Sequence, residues 1–469
     1  MRKFGEVLGG GILAVAIGCA ACVNAAGGGS TGTGTGGDGS SAAGSGGSAG
    51  VSSPTLRWTK RFGGVGNEQG EAVAIDGAGD VLVIGTFTGA LDLGGTVHPS
   101  NGATSAFVAR LDGATGSTLW SQQFSQEARD ISGTGLALDA SGNLFLTGKT
   151  FSPVDFGGGL RCIDGFEQNY LVKLDPQGHH LFSRCFGGLA DGDVGFEAWV
   201  AASATGDVVL VGTLVGVADL GTGPVGFSNI TTTYVARYDP TGNALWVRTV
   251  GGAQGDTVAS GLTLDAADNV LVAGSSFGTF DSGTGPIQMA PNGSGFVVKL
   301  GPNGDALWTR ILVDKDGGTG PRGLTVDGSG HVLTAGWPFT DLAFGSAPPE
   351  AHPGLVADFD PAGGLAWTQS FGNFPARGAA IVAADNGESI VLINTHAGIA
   401  ETDAPIALAH LGTAGELVSL GYLGTGSGRA LARRGEQVAI TGRLGTALPS
   451  IPVPLTEFDE DVFVSVLAP

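Results

Sequence analysis

The stretch YDPTGNALWVRTVGG, residues 238 to 252, constrains this chain more than any other, because the chain writes it repeatedly. It reads as two strands joined by a Pro-Thr-Gly turn, and near copies appear as LDGATGSTLWSQQFS, LDPQGHHLFSRCFGG, LGPNGDALWTRILVD and FDPAGGLAWTQSFGN. With the hairpin aromatic as a ruler, Trp58, Trp120, Phe182, Trp246, Trp308 and Trp367 follow one another at spacings of 62, 62, 64, 62 and 59 residues. A degenerate seventh copy, GTAGELVSLGYLG, puts Val418 in the same place, 51 residues further on. A period of this length suits four strands and one long loop per repeat.

Each copy shows the same four apolar runs. In the first these are EAVAID, DVLVIGTF, AFVARLD and STLWSQQF; in the fourth they are SGLTLD, NVLVAGSS, GFVVKLG and ALWTRIL. Runs of five to eight residues rich in Val, Leu, Phe and Thr, bounded by Gly, Asp and Asn, have strand and turn chemistry. No segment after residue 54 shows a helical period, so the chain reads as all-β. Four strands per repeat and seven repeats predict a seven-bladed β-propeller of four-stranded antiparallel blades, a single domain over residues 55 to 469. LRWTKRF at 56–62 is surplus at one end, and VFVSVL at 462–467 lacks an outer partner at the other. The N-terminal strand is therefore expected to complete the last blade and close the ring. The hairpin aromatics from Trp58 to Trp367 are expected to fill the space between blades.

The stretches SGNLFLTG, VDFGGG, AFVARLD, NALWVRTVGG and HHLFSRCFGG carry a further signal. Together they resemble the seven-bladed β-propeller repeat proteins of bacteria, often lipoproteins and frequent in myxobacteria. The resemblance covers about residues 55 to 469 and weakens in the last two repeats. It implies the fold and very little about activity.

The first residues read as an address. MRK is a positive region, VLGGGILAVAIG is an apolar stretch short for a bilayer span, and AIGC ends it with a small residue before Cys19. This resembles a bacterial lipoprotein signal over residues 1–18, with cleavage before Cys19 and a lipid on its sulfur. Ala16 stands where such signals usually place Leu, and Cys22 is a second candidate; ordinary secretion with later cleavage is the alternative. Residues 19–54 are rich in Gly, Ser and Thr and lack large apolar groups, so they read as a disordered tether about 30–35 Å in span. The expected location is the cell envelope, on the outer membrane or cell surface. An exported chain meets oxidising conditions, so Cys162 and Cys185, the only cysteines after residue 54, are expected to form a disulfide. Two unpaired buried thiols are the alternative.

Charge removes one class of partner. With 22 Lys plus Arg against 43 Asp plus Glu, the formal net charge is −21, and residues 1 to 54 contribute nothing to it, since Arg2 and Lys3 balance Glu6 and Asp38. Such a body repels phosphate backbones, so nucleic acid is excluded as a partner.

Strand order places the long loops, 88 to 105, 152 to 168, 215 to 232 and 278 to 294, on one face and the tight turns on the other. Binding residues favour long loops on a rigid scaffold, so a site is expected on that face near the central channel. Glu68, Glu71, Glu127, Asp191, Glu197, Asp314 and Asp316 lie at the starts of inner strands there. Asn67, Asp130, Asp193 and Asp256 recur at nearly equivalent places and form a candidate arc of calcium ligands. Their recurrence favours a turn role instead, because a site needs its residues once and a blade needs its turn every time. The same holds for Asp92, Asp155, Asp219 and Asp281 in the DFGG loops. Arg129, Lys315, Arg322, Arg377 and Arg429 are candidates to grip an anion or to pair with neighbouring acids.

Catalytic signals are weak. DGATGSTLW, Asp112 to Trp120, has the spacing of a docking motif in pyrroloquinoline quinone dehydrogenases, but the Lys usually found there is Ser117, and no adjacent-cysteine ring is present. The seven histidines, His98, His179, His180, His331, His352, His396 and His410, show no metal-ligand spacing. No catalytic residue and no cofactor is expected, with calcium the one candidate ion. The expectation is a lipid-anchored, monomeric, non-catalytic propeller that binds or scaffolds an envelope or extracellular protein or glycan. The alternatives are a lyase, glycosidase or quinoprotein-type dehydrogenase with its site on the long-loop face, or a structural envelope protein with no ligand.

Overall fold

The N-terminal strand, Thr55–Val65, runs antiparallel to the last strand, Asp461–Ala468, with Leu56 opposite Leu467 and Phe62 opposite Val462. The computed structural model describes residues 55–100, 103–125, 129–162, 167–187, 198–252, 254–313, 320–344, 350–371, 376–395, 405–444 and 461–468. The leader, Cys19, the tether and Asp193 lie outside them. Every regular element among the described residues is a strand.

The first three repeats each form a separate four-stranded antiparallel sheet. In the first, Glu68–Ile75, Val81–Phe87, Ser105–Leu111 and Thr118–Phe124 follow one another in order from the innermost strand outward. The fourth and fifth repeats share one eight-stranded sheet, and the sixth and last share a nine-stranded sheet that includes Thr55–Val65. The sixth repeat's outer strand continues into the next inner strand as one run of 18 residues, Leu417–Arg434. The two middle strands of each sheet carry the core: Val81, Val83, Ile84, Phe107 and Val108 in the first repeat are fully buried, as are Val270, Val272, Phe296 and Val298 in the fourth.

Tight turns follow one recipe. Asp239 accepts backbone N–H bonds from Thr241 at 2.8 Å and Asn243 at 2.9 Å. Bonds from the Thr241 side chain and the Asn243 backbone, against a small opposing effect of burial, hold its carboxyl down at about 2. Gly242, at φ 85°, takes the left-handed position that such a turn requires.

Repeats are tied to each other at these turns. The indole N–H of Trp58 donates to Gly113 O at 3.0 Å, Trp120 to Pro176 O at 3.2 Å, Trp246 to Pro302 O at 2.8 Å and Trp308 to Pro361 O at 3.2 Å. Each acceptor is in the hairpin turn of the following repeat. The rings lie against the turn glycine of that repeat: a Cβ on Gly304 would stand 3.1 Å from the Trp246 ring, and one on Gly242 would stand 2.9 Å from Phe182. Trp367 meets Gly415 in the same way. The hairpin is thus written repeatedly because each copy supplies both an aromatic and the glycine turn that receives its neighbour's aromatic.

A second tie lies beneath. Arg110 binds Asp80 at 2.9 Å, Lys173 binds Asp139 at 3.2 Å, Arg237 binds Asp207 at 3.0 Å and Lys299 binds Asp265 at 2.9 Å. Each joins a cation on the third strand to an acid of the inner tight turn. The fifth repeat reverses the polarity, with Asp358 on the strand and His331 in the turn at 3.0 Å. The sixth pairs His410 with Glu388 at 3.5 Å.

The segments read as long loops hold small hairpins, Ala90–Asp92 with Val97–Pro99, Val154–Asp155 with Leu160–Arg161, and Thr279–Phe280 with Ile287–Gln288. Their strands are two or three residues long, too short to give an alternating pattern. The DFGG aspartates make them: Asp219 accepts from the N–H groups of Gly221 and Gly223 at 2.8 and 3.0 Å, and Asp281 from Gly283 and Gly285 at 2.7 and 3.1 Å. The hairpins of the first and fourth repeats fold back over their own outer strands, through His98 to Ser121 at 2.8 Å and Ser282 to Thr309 at 2.6 Å; in the third repeat, where the loop continues the strands Val208–Asp219 and Pro224–Tyr238, Tyr238 donates to Leu220 O at 3.0 Å. In the second repeat a disulfide joins Cys162 to Cys185, with Cα atoms 5.2 Å apart, and does the same work. These loops therefore cover sheet edges, which would otherwise offer free backbone groups to other chains.

Candidate functional site

Because the described loops fold outward, the side chains at the inner end of the molecule come from the innermost strands. Each inner strand from the first, second, fourth, fifth, sixth and last repeats carries a bulge, which leaves one extra residue: Glu71, Thr134, Ser260, Arg322, Ala379 and Arg429. A bulge re-aims its side chain out of the ladder. Where the residue is a hydroxyl, it ties one repeat to the next: Thr134 Oγ1 donates to Ala198 O at 3.1 Å, and Ser260 donates to Pro321 O.

The first and last repeats depart from that pattern. Arg429 donates from its guanidinium to Gln69 Oε1 at 3.0 Å, and Gln69 donates in turn to Glu71 Oε1. Arg443, two strand positions beyond Thr441, adds its charge to Glu71 from the neighbouring strand. Glu71 and Arg429 are buried, while Gln69 and Arg443 remain partly exposed. Burial raises the Glu71 carboxyl above its ordinary value; Arg429, the Gln69 hydrogen bond and Arg443 oppose that shift without cancelling it.

The cluster is held from both sides. Asn394 of the sixth repeat donates to Gly428 O at 2.9 Å and accepts from Gly428 N–H at 3.0 Å, which fixes the backbone beside Arg429. Gln437 donates to Gly79 O at 3.1 Å across the same junction at the tight-turn end. In the fifth repeat, Arg322 lies over the Trp337 ring at 5.9 Å, a cation–π contact at the corresponding bulge.

The Asx residues recurring across repeats have structural partners. Asp130 Oδ1 accepts from Thr104 N–H at 2.9 Å, and Asp256 Oδ1 from Thr231 N–H at 2.9 Å, each bonding the preceding repeat's third-strand region. Asn67 exchanges hydrogen bonds with Thr88: its N–H donates to Thr88 Oγ1 at 2.9 Å, and its carbonyl accepts from Thr88 N–H at 3.0 Å. Among the described residues no three His, Cys, Asp or Glu side chains converge as a metal-binding group would. Sequence reading singled out Glu71, Arg322 and Arg429 but not Gln69 or Arg443. Aligning the repeats on the bulge would have exposed the first three as charged exceptions among Thr, Ser and Ala.

Residues 119–153 match the family model described as a beta-propeller repeat. That match covers one repeat of the chain, from its outer hairpin strand into the second strand of the next sheet. No curated protein matches the chain. Solved structures similar to this propeller include the WD40 repeats of RRP9, at 11% identity and a TM-score of 0.46, covering 89% of this chain and 99% of that one. The Dos1 propeller is similar at 10% identity and a TM-score of 0.46, covering 88% and 95%. The quinohemoprotein alcohol dehydrogenase from Comamonas testosteroni is similar at 12% identity and a TM-score of 0.40, covering 89% and 77%. At such identities and scores these likenesses carry no argument about the activity of this propeller.

Proposed function

We propose that the chain is an exported, lipid-anchored propeller of seven blades that binds or scaffolds an envelope or extracellular partner without catalysing a reaction. Its ring closes where Thr55–Val65 pairs with Asp461–Ala468 and Glu68–Ile75 packs against Leu417–Arg434. The signal-like residues 1–18 direct export, Cys19 carries the lipid, and residues 19–54 hold the body off the membrane. The protein acts as a monomer, without a cofactor, and calcium is the one ion to test.

One observation carries the reading. The tight-turn end repeats the same Trp–turn and cation–acid ties from repeat to repeat, as scaffolding must, whereas the unrepeated ionisable side chains Glu71, Arg322 and Arg429 sit at the opposite end of the inner strands. In this reading the tether joins the body at Thr55, which pairs with Ala468 at the tight-turn end that Trp58 reaches through Gly113, and the opposite end is left free for a partner.

Hydrogen exchange on the full chain, with isolated envelope polysaccharide and envelope protein fractions and with or without calcium, tests the reading. Protection at residues 68–71, 426–429 and 441–444 is the expected result. Protection confined to the tight turns, or turnover of a glycan or lactone, would overturn it. Loss of membrane association in Cys19→Ser is the expected outcome for the anchor.

A further inference from the structure

We propose that the outer strand of the sixth repeat, around Leu417, Leu420 and Tyr422, is a docking edge for an extended, apolar segment of a neutral or basic partner protein, which adds to the sheet as one more strand. The proposal goes beyond the reading above, which concerns the inner strands.

Strand register identifies the sister positions. Leu417 lies opposite Leu411 and Leu420 opposite Ala409, as Thr118 lies opposite Leu111 and Ser121 opposite Ala109 in the first repeat. The matching residues are His180 and Ser183, Ala244 and Val247, and Ala306 and Thr309 in the second, third and fourth. The same register puts Ser419, not Val418, in the place of the hairpin aromatic, because Ser419 lies opposite His410 as Trp246 lies opposite Arg237. In the sister repeats these positions lie under the loop of their own repeat. Thr118 donates to Leu93 O, His98 meets Ser121 at 2.8 Å, Ser282 meets Thr309 at 2.6 Å, and a Cβ on Gly221 would stand 2.8 Å from Ala244. Ser183, Val247 and Thr309 are buried, whereas Leu417 is 44% exposed and Leu420 41%. Tyr422 matches Cys185, which holds the disulfide, and the buried Ile311, yet it is 61% exposed.

Loop length accounts for the difference. Between second and third strands the first, second and fourth repeats have 17 residues each, 88–104, 151–167 and 277–293; the sixth has nine, 396–404, fewer than the ten of the hairpin Ala90–Pro99. Strands from a following repeat meet an outer strand further along, at Arg310–Val313, which corresponds to Gly421–Gly424. Among the described residues, no strand pairs with the outer edge of Leu417–Leu423. An exposed apolar edge is a liability that chains blunt with charge, and residues 417–428 carry none. The uncovered positions thus hold larger apolar groups than the covered ones, as a surface awaiting a partner does.

Backbone and charge select that partner. The edge presents N–H and C=O groups that lipid chains cannot bond and a peptide strand can. Leu420 and Tyr422 stand two residues apart, so they share one face of the strand and meet alternate side chains of the added one. A second copy would bring another body of net charge −21 against the first, so a neutral or basic protein fits better.

The test is calorimetric titration of the full chain with the capped peptide KTVTVTVK, with its fully N-methylated copy, which has no backbone donors, and with ETVTVTVE. Saturable binding of KTVTVTVK, stronger than that of ETVTVTVE and accompanied by new amide protection at 417–423, is the expected result. Leu420→Asp should weaken it at least tenfold and Tyr422→Ser severalfold, while Leu245→Asp, at an exposed leucine on a covered strand, should leave it unchanged. No saturable binding, equal binding of the N-methylated copy, or affinity indifferent to Leu420→Asp would each overturn the site. So would a dimer that Leu420→Asp dissolves, or protection at 417–423 in the chain alone that equals that of Thr118–Phe124, since a second copy or the chain itself would then be the cover. The binding reading above is tested by protection at other residues, so the two failures are distinguishable.

Discussion

Trp246 Nε1 donates to the carbonyl of Pro302, 2.8 Å away and 56 residues further along the chain. The same bond joins Trp120 to Pro176 and Trp308 to Pro361, while Phe182 occupies the equivalent place with no donor to offer. Ring packing on the turn glycine is therefore common to the hairpin aromatics, and the hydrogen bond is an addition to it. Trp246→Phe should cost about 0.5–1.5 kcal/mol, the net worth of one such bond. Trp246→Ala should cost more, because the packing is lost too. Urea unfolding of the two variants checks the order.

Lys299 and Asp265, 2.9 Å apart and both nearly buried, form a pair that His331 and Asp358 repeat with reversed polarity. Removing one partner of such a pair strands the other charge, so Lys299→Met should destabilise by about 3–5 kcal/mol. Asp358→Lys alone removes the acceptor of His331 and should destabilise. Adding His331→Asp gives the arrangement of the first repeat, where Asp80 holds that turn position and binds Arg110, and should recover at least about 2 kcal/mol, read from denaturant midpoints in a double-mutant cycle.

Glu71 has its carboxyl raised mainly by burial, so the folded protein disfavours its charged form. A raised value means stability present at low pH and lost as pH climbs through the folded value. Glu71→Gln keeps the neutral form at every pH. The variant should be the more stable of the two at pH 8, and the difference should vanish below about pH 4, where both side chains are neutral. Thermal unfolding midpoints across pH 4 to 8 decide this; a constant difference would show that Glu71 titrates as an ordinary exposed carboxyl.

Cys162 and Cys185 are 23 residues apart, so their disulfide closes a short loop. Chain entropy sets its contribution at about 3 kcal/mol. Reduction, or Cys185→Ser, should lower the unfolding free energy by that order while leaving the strands intact, since sister hairpins hold their outer strands with hydrogen bonds alone. Urea unfolding with and without reductant measures it.

Asp239, held at about 2 by bonds from Thr241 and Asn243, predicts a complementary pH effect. Its lowered value means that its contribution is present above about pH 4 and fades as pH falls toward 2. Asp239→Ala should therefore be less stable than the parent at pH 6, with the difference shrinking as pH falls to about 2, and small throughout because the group is largely solvated.

The strand type, the recurring hairpin and the turn role of Asp219 and Asp281 were legible in the amino-acid sequence, because each is a local demand that every repeat meets with the same residues. Alternation, an Asx before glycine and an aromatic after a turn all act within a few residues, so they leave a period of about 62 in the chain. The small hairpins were not legible, since strands of two or three residues carry no period. That they fold over the outer strands depends on His98 and Ser282 meeting partners in three dimensions. The reversed pair was legible only in part: Asp358 stands where other third strands carry Arg110, Lys173, Arg237 and Lys299, but its pairing with His331 shows only in three dimensions.

The candidate site lies furthest from what the sequence determined alone. Gln69 and Arg429 are 360 residues apart, and nothing in either neighbourhood points to the other. Tertiary structure decided their meeting: pairing of Thr55–Val65 with Asp461–Ala468 brings the ends of the chain together, and two inner-strand bulges aim Glu71 and Arg429 at one junction. Periodicity records the contacts that each repeat must make with the next. Contacts made once, between the first repeat and the last, exist only when the chain is folded.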